Sequence, residues 1–393
     1  MISSSSDPFQ VFGRRDGKPY QEALLGRRER DVLTRTEGRA FEGQRVLITG
    51  GAGFVGAALA RRILKFKPAQ LTLMDQSDSG LVRLEMDLHS PARLNLVLGD
   101  VSRISDVRNT IRDARPDVVF HAAAASRNAL AERAVCATVR TNVFGTLHVA
   151  RESAAAGARL VVISTRDTES AATLMGATRR VGELVSVCPS APGFRPTIVR
   201  LGHLLDLPAG LVYGWLDQLR TGRPLLVPEG AGPAALITGR EAVSLILKAD
   251  LLGSAGQVFR LDSGDATEPA EIARRLLAWA SAQGLEPVPL HASPLQEPRP
   301  SMARACDLVF TPAAGHPRIQ YATQRTPDTR MMNRILRALR EDLRRRDAFT
   351  AMADLRAAVP GYLPSTVARE EAASVTLQTA MGMTWRPLQP LSA

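Results

Sequence analysis

The sequence predicts an α/β protein whose parallel sheet is covered by helices on both faces, and three observations carry that expectation. From Gln44 to Leu201, short apolar runs alternate with stretches of helical periodicity. The apolar runs are continuous rather than alternating, as strands buried on both faces are. A glycine-rich turn, Thr49-Gly50-Gly51-Ala52-Gly53-Phe54-Val55-Gly56, joins the first run to the first helix of the series.

Taken in order, residues 1–43 form a polar, arginine-rich N-terminal arm with one short helix around Gln21–Leu25. Strands are expected at Val46–Thr49, Leu71–Met74, Leu94–Leu98, Val118–Phe120, Leu160–Ile163 and Thr197–Leu201. Helical periodicity falls between them at Ala57–Leu64, Val107–Ala114, Ala137–Ala156 and Leu174–Val187. This βαβ rhythm is that of a doubly wound sheet and assigns residues 44–200 to one domain. Beyond Leu201 the rhythm loosens into Pro/Gly-rich loops, with helices at Leu211–Leu219, Arg240–Leu252 and Pro269–Ala282. Residues 201–345 therefore read as a smaller substrate-binding region, with chain near 236–262, including a strand at Gln257–Asp262, returning to the sheet. Arg330–Arg345 carries Met331, Ile335, Leu336, Leu339 and Leu343 at helical spacing, an apolar stripe that packs on the domain or on a neighbouring subunit. Residues 346–393 are a C-terminal extension whose last dozen residues form a loose tail.

Composition narrows the function classes. The chain has 393 residues, 45% of them hydrophobic, and a mean hydropathy of -0.05, as globular proteins do. No apolar run approaches the roughly 18 residues of a membrane span. The serine-containing start, Met1–Asp7, lacks the apolar core of a secretory signal. Cys136, Cys188 and Cys306 are far apart and show no metal-ligand spacing. Reduced thiols, a cytoplasmic location and no metal are expected. The net charge is +11, and every basic residue except Lys18, Lys65, Lys67 and Lys248 is an arginine. These arginines are dispersed and accompany no nucleic-acid-reading motif, so nucleic acid is not an expected partner. Anionic nucleotides, or weak peripheral contact with an acidic membrane surface, suit that charge better.

The glycine turn points to a Rossmann-type domain. Gly50 permits the tight turn, Gly53 lets backbone approach a pyrophosphate, and Gly56 permits close packing of helix on strand. The N–H groups of Phe54, Val55 and Gly56 would then meet the phosphates of a nicotinamide dinucleotide at the helix N-terminus. Asp75 ends the next strand 19 residues beyond Gly56, placed for an adenosine ribose. That carboxylate favours NAD slightly over NADP, although Arg83 or another arginine is available for a 2′-phosphate. Asp100 and Val101 follow the third strand, where the adenine would lie. Ala122 and Ala123 follow His121 at the end of the fourth, where small side chains leave room for the dinucleotide. Asn142 reads equally as a polar anchor between sheet and helix or as a site residue.

With these residues in hand, the chain resembles the extended short-chain dehydrogenase/reductases, and among them the CapD-like polysaccharide biosynthesis group of UDP-N-acetylglucosamine 4,6-dehydratase type. Leu24-Leu25-Gly26-Arg27, Arg115 to Ala124, Ser164-Thr165, Met175-Gly176-Ala177-Thr178 and Thr238 to Val243 carry the likeness. Leu261 to Leu276, His316-Pro317-Arg318-Ile319 and Val359-Pro360-Gly361-Tyr362 extend it over most of the chain. The resemblance implies a tightly bound NAD or NADP, a nucleotide-sugar substrate and a homo-oligomer. It also implies a redox-neutral reaction: oxidation at C4, loss of water across C5–C6, and return of the hydride. It places catalytic roles at Thr165, Arg166, Asp167, Met175 and Arg179, with Arg179 also on the cofactor, and substrate contacts at Glu132, Arg200 and His203.

Several of these positions depart from the family pattern. Arg179 stands where the family has lysine, and no tyrosine lies nearby. Ser164-Thr165-Arg166-Asp167 replaces Ser-Thr-Asp-Lys, so acid and base exchange order. Arginine does not exchange protons near neutral pH as a perturbed lysine does. In Arg200-Leu201-Gly202-His203-Leu204-Leu205-Asp206-Leu207, the Asn, Gly and Ser of the family's pocket segment are replaced. Ala125-Ser126-Arg127-Asn128 stands where relatives carry a Lys/His pair. His203 reads as a new acid–base group or a structural histidine; Asp167 reads as a surviving base, a solvated turn residue or an ion-pair partner of Arg166. Three functions follow: a nucleotide-sugar 4,6-dehydratase or related epimerase or reductase with a repurposed site; a catalytically impaired NAD(P)-binding partner or regulator of such an enzyme; or a scaffold that no longer holds cofactor, which the intact Gly50, Gly53 and Gly56 oppose.

Overall fold

The described residues open on two short helices, α1 (Tyr20–Leu25) and α2 (Arg35–Gly38), and then alternate strand and helix. The series runs β1 (Arg45–Thr49), α3 (Phe54–Leu64), β2 (Gln70–Asp75), α4 (Asp78–Asp87), β3 (Leu94–Leu98), α5 (Ile104–Ala114) and β4 (Val118–His121). It continues with α6 (Asn128–Arg133), α7 (Val135–Val139), α8 (Thr146–Ala155), β5 (Arg159–Thr165), α9 (Leu174–Ser186) and β6 (Thr197–Leu201). Then come β7 (His203–Leu204), α10 (Leu211–Arg220), β8 (Leu225–Glu229), β9 (Leu236–Ile237), α11 (Gly239–Leu252), β10 (Gln257–Leu261) and α12 (Pro269–Ala282). The last described elements are β11 (Leu290–Pro294), β12 (Thr311–Ala313), β13 (His316–Thr323), α13 (Thr329–Arg345), α14 (Ala348–Ala358) and α15 (Thr366–Ala380). This computed structural model describes residues 20–89, 92–125, 128–188, 194, 196–207, 210–253, 256–262, 264, 266–294 and 308–380. Met1–Asp7, Lys18, Ser126-Arg127, Cys306 and the expected tail lie outside the described residues.

Nine strands form the main sheet in the order β3-β2-β1-β4-β5-β6-β10-β13-β12. Strands β1 to β6 and β10 run parallel, whereas β13 and β12 are antiparallel additions at one edge. All residues of β4 and β6 are buried, which explains why their sequences show no alternation. Strand order reverses between β1 and β4, and the crevice beyond the carboxyl ends of such a pair is where α/β sheets take ligands.

Helices α3 and α11 cover one face, with Leu59, Ile63, Leu245 and Ile246 in its core; α5 and α8 cover the other through Val107, Ile111 and Val149. A smaller core joins α10, α12 and β8 around Trp215, Leu276 and Trp279, and Leu24 and Tyr20 of α1 belong to it. The described part of the expected arm is thus packed rather than pendant. Its hold includes Arg27 on Glu241 and the buried Lys248 on Glu37.

Three elements differ from their sequence expectation. The single helix expected at Ala137–Ala156 is interrupted by a π-turn over Arg140–Gly145, which side-chain periodicity does not reveal. Of the chain near 236–262, only β10 returns to the main sheet; β9 pairs with β7 in a separate two-stranded piece. The apolar stripe of α13 runs through Met332 rather than Met331, which is exposed. That stripe packs with α14 and α15 against Val139, Val143, Val181 and Val185, so the C-terminal extension is part of the domain's flank through residue 372. No helix among the described residues is long and apolar enough to cross a membrane.

Candidate functional site

The glycine turn sits at the strand-order reversal, and its geometry explains each glycine. Gly50 has φ +70°, and a Cβ there would fall 2.5 Å from Ala123 N. A Cβ on Gly56 would fall 2.1 Å from Gly50 O, so only glycine lets α3 lie this close to the turn. Gly53 is different: a Cβ would approach only Gly50 O, at 3.2 Å, and would otherwise project into open space. Gly53 caps α3 with extended backbone and without a side-chain cap. The N–H groups of Phe54, Val55 and Gly56 have no acceptor among the described residues. Three unspent donors at the positive end of an 11-residue helix form a cradle for an anion.

Asp75 closes that cradle. Its Oδ2 accepts Ala52 N–H at 3.0 Å and its Oδ1 accepts Ser77 N–H at 3.0 Å, which ties the glycine turn to the end of β2. Each carboxylate oxygen keeps a lone pair for a further donor. Asp100 accepts Ser102 N–H, while Val101 is buried near Gly145. The ring of Phe54 lies against Gly239 at the start of α11. Asp206, expected only as a departure from the pocket segment, accepts Gly239 N–H at 2.8 Å. Burial, with Glu29 and Glu241 nearby, raises its carboxyl to about 6.

Behind the cradle lies a buried chain of neutral hydrogen bonds. His121 Nδ1 is 2.7 Å from Thr49 Oγ1, and its Nε2 is 3.0 Å from Thr146 Oγ1. Thr146 spends its only hydroxyl proton on Asn142 O, so His121 donates from Nε2 and accepts the Thr49 hydroxyl at Nδ1. Burial, seconded by the charge of Arg179, holds the imidazole neutral by lowering it to about 3. Below pH 6.5 the unfolded chain therefore takes up a proton that the folded chain refuses, and stability falls with pH down to about 3. Denaturant midpoints measured between pH 6.5 and 4.5 should show His121→Asn with a shallower loss, by up to ~1.4 kcal/mol per pH unit.

Asn142 lies within the π-turn and is buried. It accepts Ala125 N–H at 2.8 Å and donates to Ala125 O at 3.2 Å and Thr178 Oγ1 at 3.0 Å. Of the two readings the sequence left open, its bonds are those of an anchor for the loop after β4.

Strand β5 delivers the second half of the site. Thr165 Oγ1 accepts Asp167 N–H at 3.2 Å as the chain enters a 3-10 turn, Arg166–Glu169. Met175 is buried and Arg179 is half-buried, one turn apart on α9. Arg179 Nη1 donates to Ile163 O at 2.6 Å, whereas its Nε is buried with no partner among the described residues. Burial lowers this guanidinium to about 10, with Glu183 and Asp167 opposing. Asp167 is not the ion-pair partner of Arg166, which instead lies 3.7 Å from Glu169. Asp167 Oδ1 is 3.9 Å from His203 Nε2, with both side chains about one-third exposed. Two departures from the family pattern, 36 residues apart, thus meet at the carboxyl ends of β5 and β6.

Two expected substrate contacts are corrected. Arg200 is fully buried and bound to Glu183 through Nε at 2.9 Å and Nη2 at 2.7 Å, so its guanidinium is spent on an internal ion pair. Glu132 is buried too; it accepts Leu174 N–H at 2.8 Å and the Ser365 hydroxyl at 3.1 Å, joining α6, α9 and the approach to α15. The residue that sequence reasoning missed is Glu183. It also accepts the Ser164 hydroxyl at 2.7 Å and Arg180 Nη1 at 2.9 Å, and so fixes the end of β5 from behind. The signal was present, since Met175, Arg179 and Glu183 recur every four residues on one helix face.

Residues 46–289 match the family model described as "Polysaccharide biosynthesis protein". Among curated relatives, the capsular polysaccharide biosynthesis protein CapD of Staphylococcus aureus is 27% identical over 264 residues, covering 65% of this chain and 44% of CapD. The probable polysaccharide biosynthesis protein EpsC of Bacillus subtilis is 27% identical over 275 residues, covering 68% of this chain and 46% of EpsC. The chain therefore spans less than half the length of these relatives. Among solved structures, Pen from Bacillus thuringiensis has a TM-score of 0.63 at 19% identity, covering 73% of this chain and 89% of its own. DesIV, a dTDP-glucose 4,6-dehydratase from Streptomyces venezuelae solved with NAD and TYD bound, has a TM-score of 0.56 at 20% identity, covering 63% and 84%. At these identities the structural likeness is one of fold.

Proposed function

The chain belongs to the polysaccharide biosynthesis protein family, and from that premise we propose that it is an NAD-dependent enzyme acting on a nucleotide sugar, with 4,6-dehydratase-like chemistry. One observation carries the reading: three unspent N–H groups, at Phe54, Val55 and Gly56, lie at the sheet's reversal point beside the Asp75 carboxylate. That donor set fits a dinucleotide, because the amides take its phosphates and Asp75 accepts from its adenosine ribose. A bound nicotinamide dinucleotide supplies reversible oxidation of a sugar carbinol.

The chain's own residues supply the rest. Arg179, held through Nη1 on Ile163 O at the end of β5, neutralises phosphate or holds a ribose hydroxyl, without exchanging protons. The proton traffic falls to the Asp167–His203 pair, since neither Tyr nor Lys is available on α9. His203 takes the proton of a sugar hydroxyl, and Asp167 orients the ring and stabilises its cationic form. Thr165 supplies a hydroxyl beside them.

The test begins with the purified chain, which should take up NAD(H), read by nicotinamide fluorescence. Incubation with UDP-N-acetylglucosamine or dTDP-glucose should then give a product lighter by one water in mass spectrometry. His203→Asn and Asp167→Asn should each lower turnover by about 10²-fold and leave NAD affinity within about threefold. Cofactor uptake without turnover of any nucleotide sugar would transfer support to a second reading, a non-catalytic NAD-binding partner. Arg179 in place of lysine and the Arg166–Glu169 contact favour that alternative. Absence of NAD uptake would defeat both.

A further inference from the structure

At the opposite end of the sheet from the glycine turn, a cavity of about 890 Å³ opens between the α2 segment, the last turn of α3 and the turn that leads into β2. Six cations line it: Arg35, Arg39, Arg62, Lys65, Lys67 and Arg240. Among the lining residues only Asp31 and Glu42 oppose them, and Glu29 lies 3.6 Å from Arg240. Asp31 is already committed, 3.1 Å from Arg62 and 3.6 Å from Arg240. Arg35, Arg39, Lys65 and Lys67 make no ion pair among the described residues. Arg62 also has a buried Nε with no partner among the described residues, and its guanidinium lies 5.6 Å from the centre of the Phe66 ring, another lining residue.

Converging like charges raise the energy of the folded chain, so the cluster calls for a cause. The carbonyl end of α3 accounts for Arg62 and Lys65, because cations stabilise a helix C-terminus. It does not account for Arg35 and Arg39, which the N-terminal segment brings from outside the family-matched residues. That segment is held in place independently: Arg30 N–H bonds Glu241 at 2.8 Å, Val32 N–H bonds Ser244 at 3.2 Å, and Glu37 meets Lys248. The wall is therefore built, and its charges are left unneutralised.

We propose that this cavity is a second anion site, distinct from the dinucleotide cradle, that takes the oligophosphate group of a small molecule such as a nucleoside diphosphate. Its size falls within the range of ligand pockets, about 300–1,000 Å³. Arginine forks and lysine ammoniums together are the donor set for phosphate oxygens.

Calorimetry with inorganic pyrophosphate tests it on the full chain. Gly53→Val blocks the cradle and serves as the background, so binding to the cradle does not enter the signal. In that background one saturable pyrophosphate site should remain. Adding Arg39→Glu and Lys67→Gly should weaken it about tenfold or more. Lys67 has φ +55°, where glycine is the less strained residue, so its replacement removes charge without a backbone penalty. A control, Arg344→Glu/Arg345→Glu on distant α13, should leave affinity unchanged, and circular dichroism checks that each variant is folded. UDP binding more tightly than pyrophosphate would identify a nucleotide as the source of the phosphates; equal affinity would place recognition in the phosphate chain alone. The proposal is overturned if pyrophosphate does not bind the Gly53→Val protein, if the cavity variant binds undiminished, or if the α13 control weakens binding equally.

Discussion

Gly53→Val should weaken NAD binding by about 10²-fold or more while the protein remains folded. The side chain would stand in front of the Phe54, Val55 and Gly56 amides, where the structure leaves open space beyond a 3.2 Å approach to Gly50 O. Losing two charge-assisted bonds of about 1.5–3 kcal/mol each gives an effect of that size. Gly56→Val makes the contrast. Its Cβ would strike Gly50 O at 2.1 Å, so α3 must move and stability must fall together with binding. Titration of each variant with NADH by fluorescence, beside a thermal melt, separates the two effects. A Gly53→Val protein with unchanged NADH affinity would remove the basis for any dinucleotide chemistry here.

Glu183→Gln should cost about 3–5 kcal/mol of stability, the usual penalty for breaking a buried ion pair on one side. Arg200 is fully buried on Glu183, and Arg180 shares the same carboxylate. Burial alone pushes the Glu183 carboxyl up, but Arg200, Arg180 and the Ser164 hydroxyl together outweigh it and hold it at about 2. Because the folded value lies below the ordinary 4.5, this contribution is fully present above pH 4.5 and is lost as pH falls toward 2. Urea unfolding of the two proteins should therefore show a gap that is widest at neutral pH and narrows below pH 4.5. A constant gap down to pH 2.5 would mean that the carboxylate's charge is not what matters. Since Glu183 also fixes Ser164, the variant should lose activity beyond its loss of folded protein, whereas Gly53→Val loses activity only through the cofactor.

The sheet and its glycine turn were legible because they depend on local pattern. Val46–Thr49 and Val118–Phe120 read as buried strands from continuous apolar residues, and Gly50 and Gly56 are needed for backbone and packing reasons that hold wherever the turn occurs, whereas Gly53 leaves open space before the helix amides. The interruption at Arg140–Gly145 was not legible, because a π-turn leaves the apolar periodicity of α7 and α8 nearly intact. Arg200 and Glu132 were misread for a related reason. A charged residue in a site-adjacent motif looks the same whether it faces substrate or a buried partner, and their partners, Glu183 and Ser365, are 17 and 233 residues away.

By itself, then, the sequence determined the fold class, the positions of the first six strands along the chain and the place of the glycine turn, since each follows from short-range spacing and backbone sterics. Only the tertiary structure decided which charges are spent on one another and which remain for a ligand. It turned Arg200 inward, set Asp167 beside His203 rather than Arg166, and gathered Arg35, Arg39, Lys65 and Lys67 around one cavity. The physical reason is that ion pairing and burial depend on distances through space, which packing fixes and sequence separation does not.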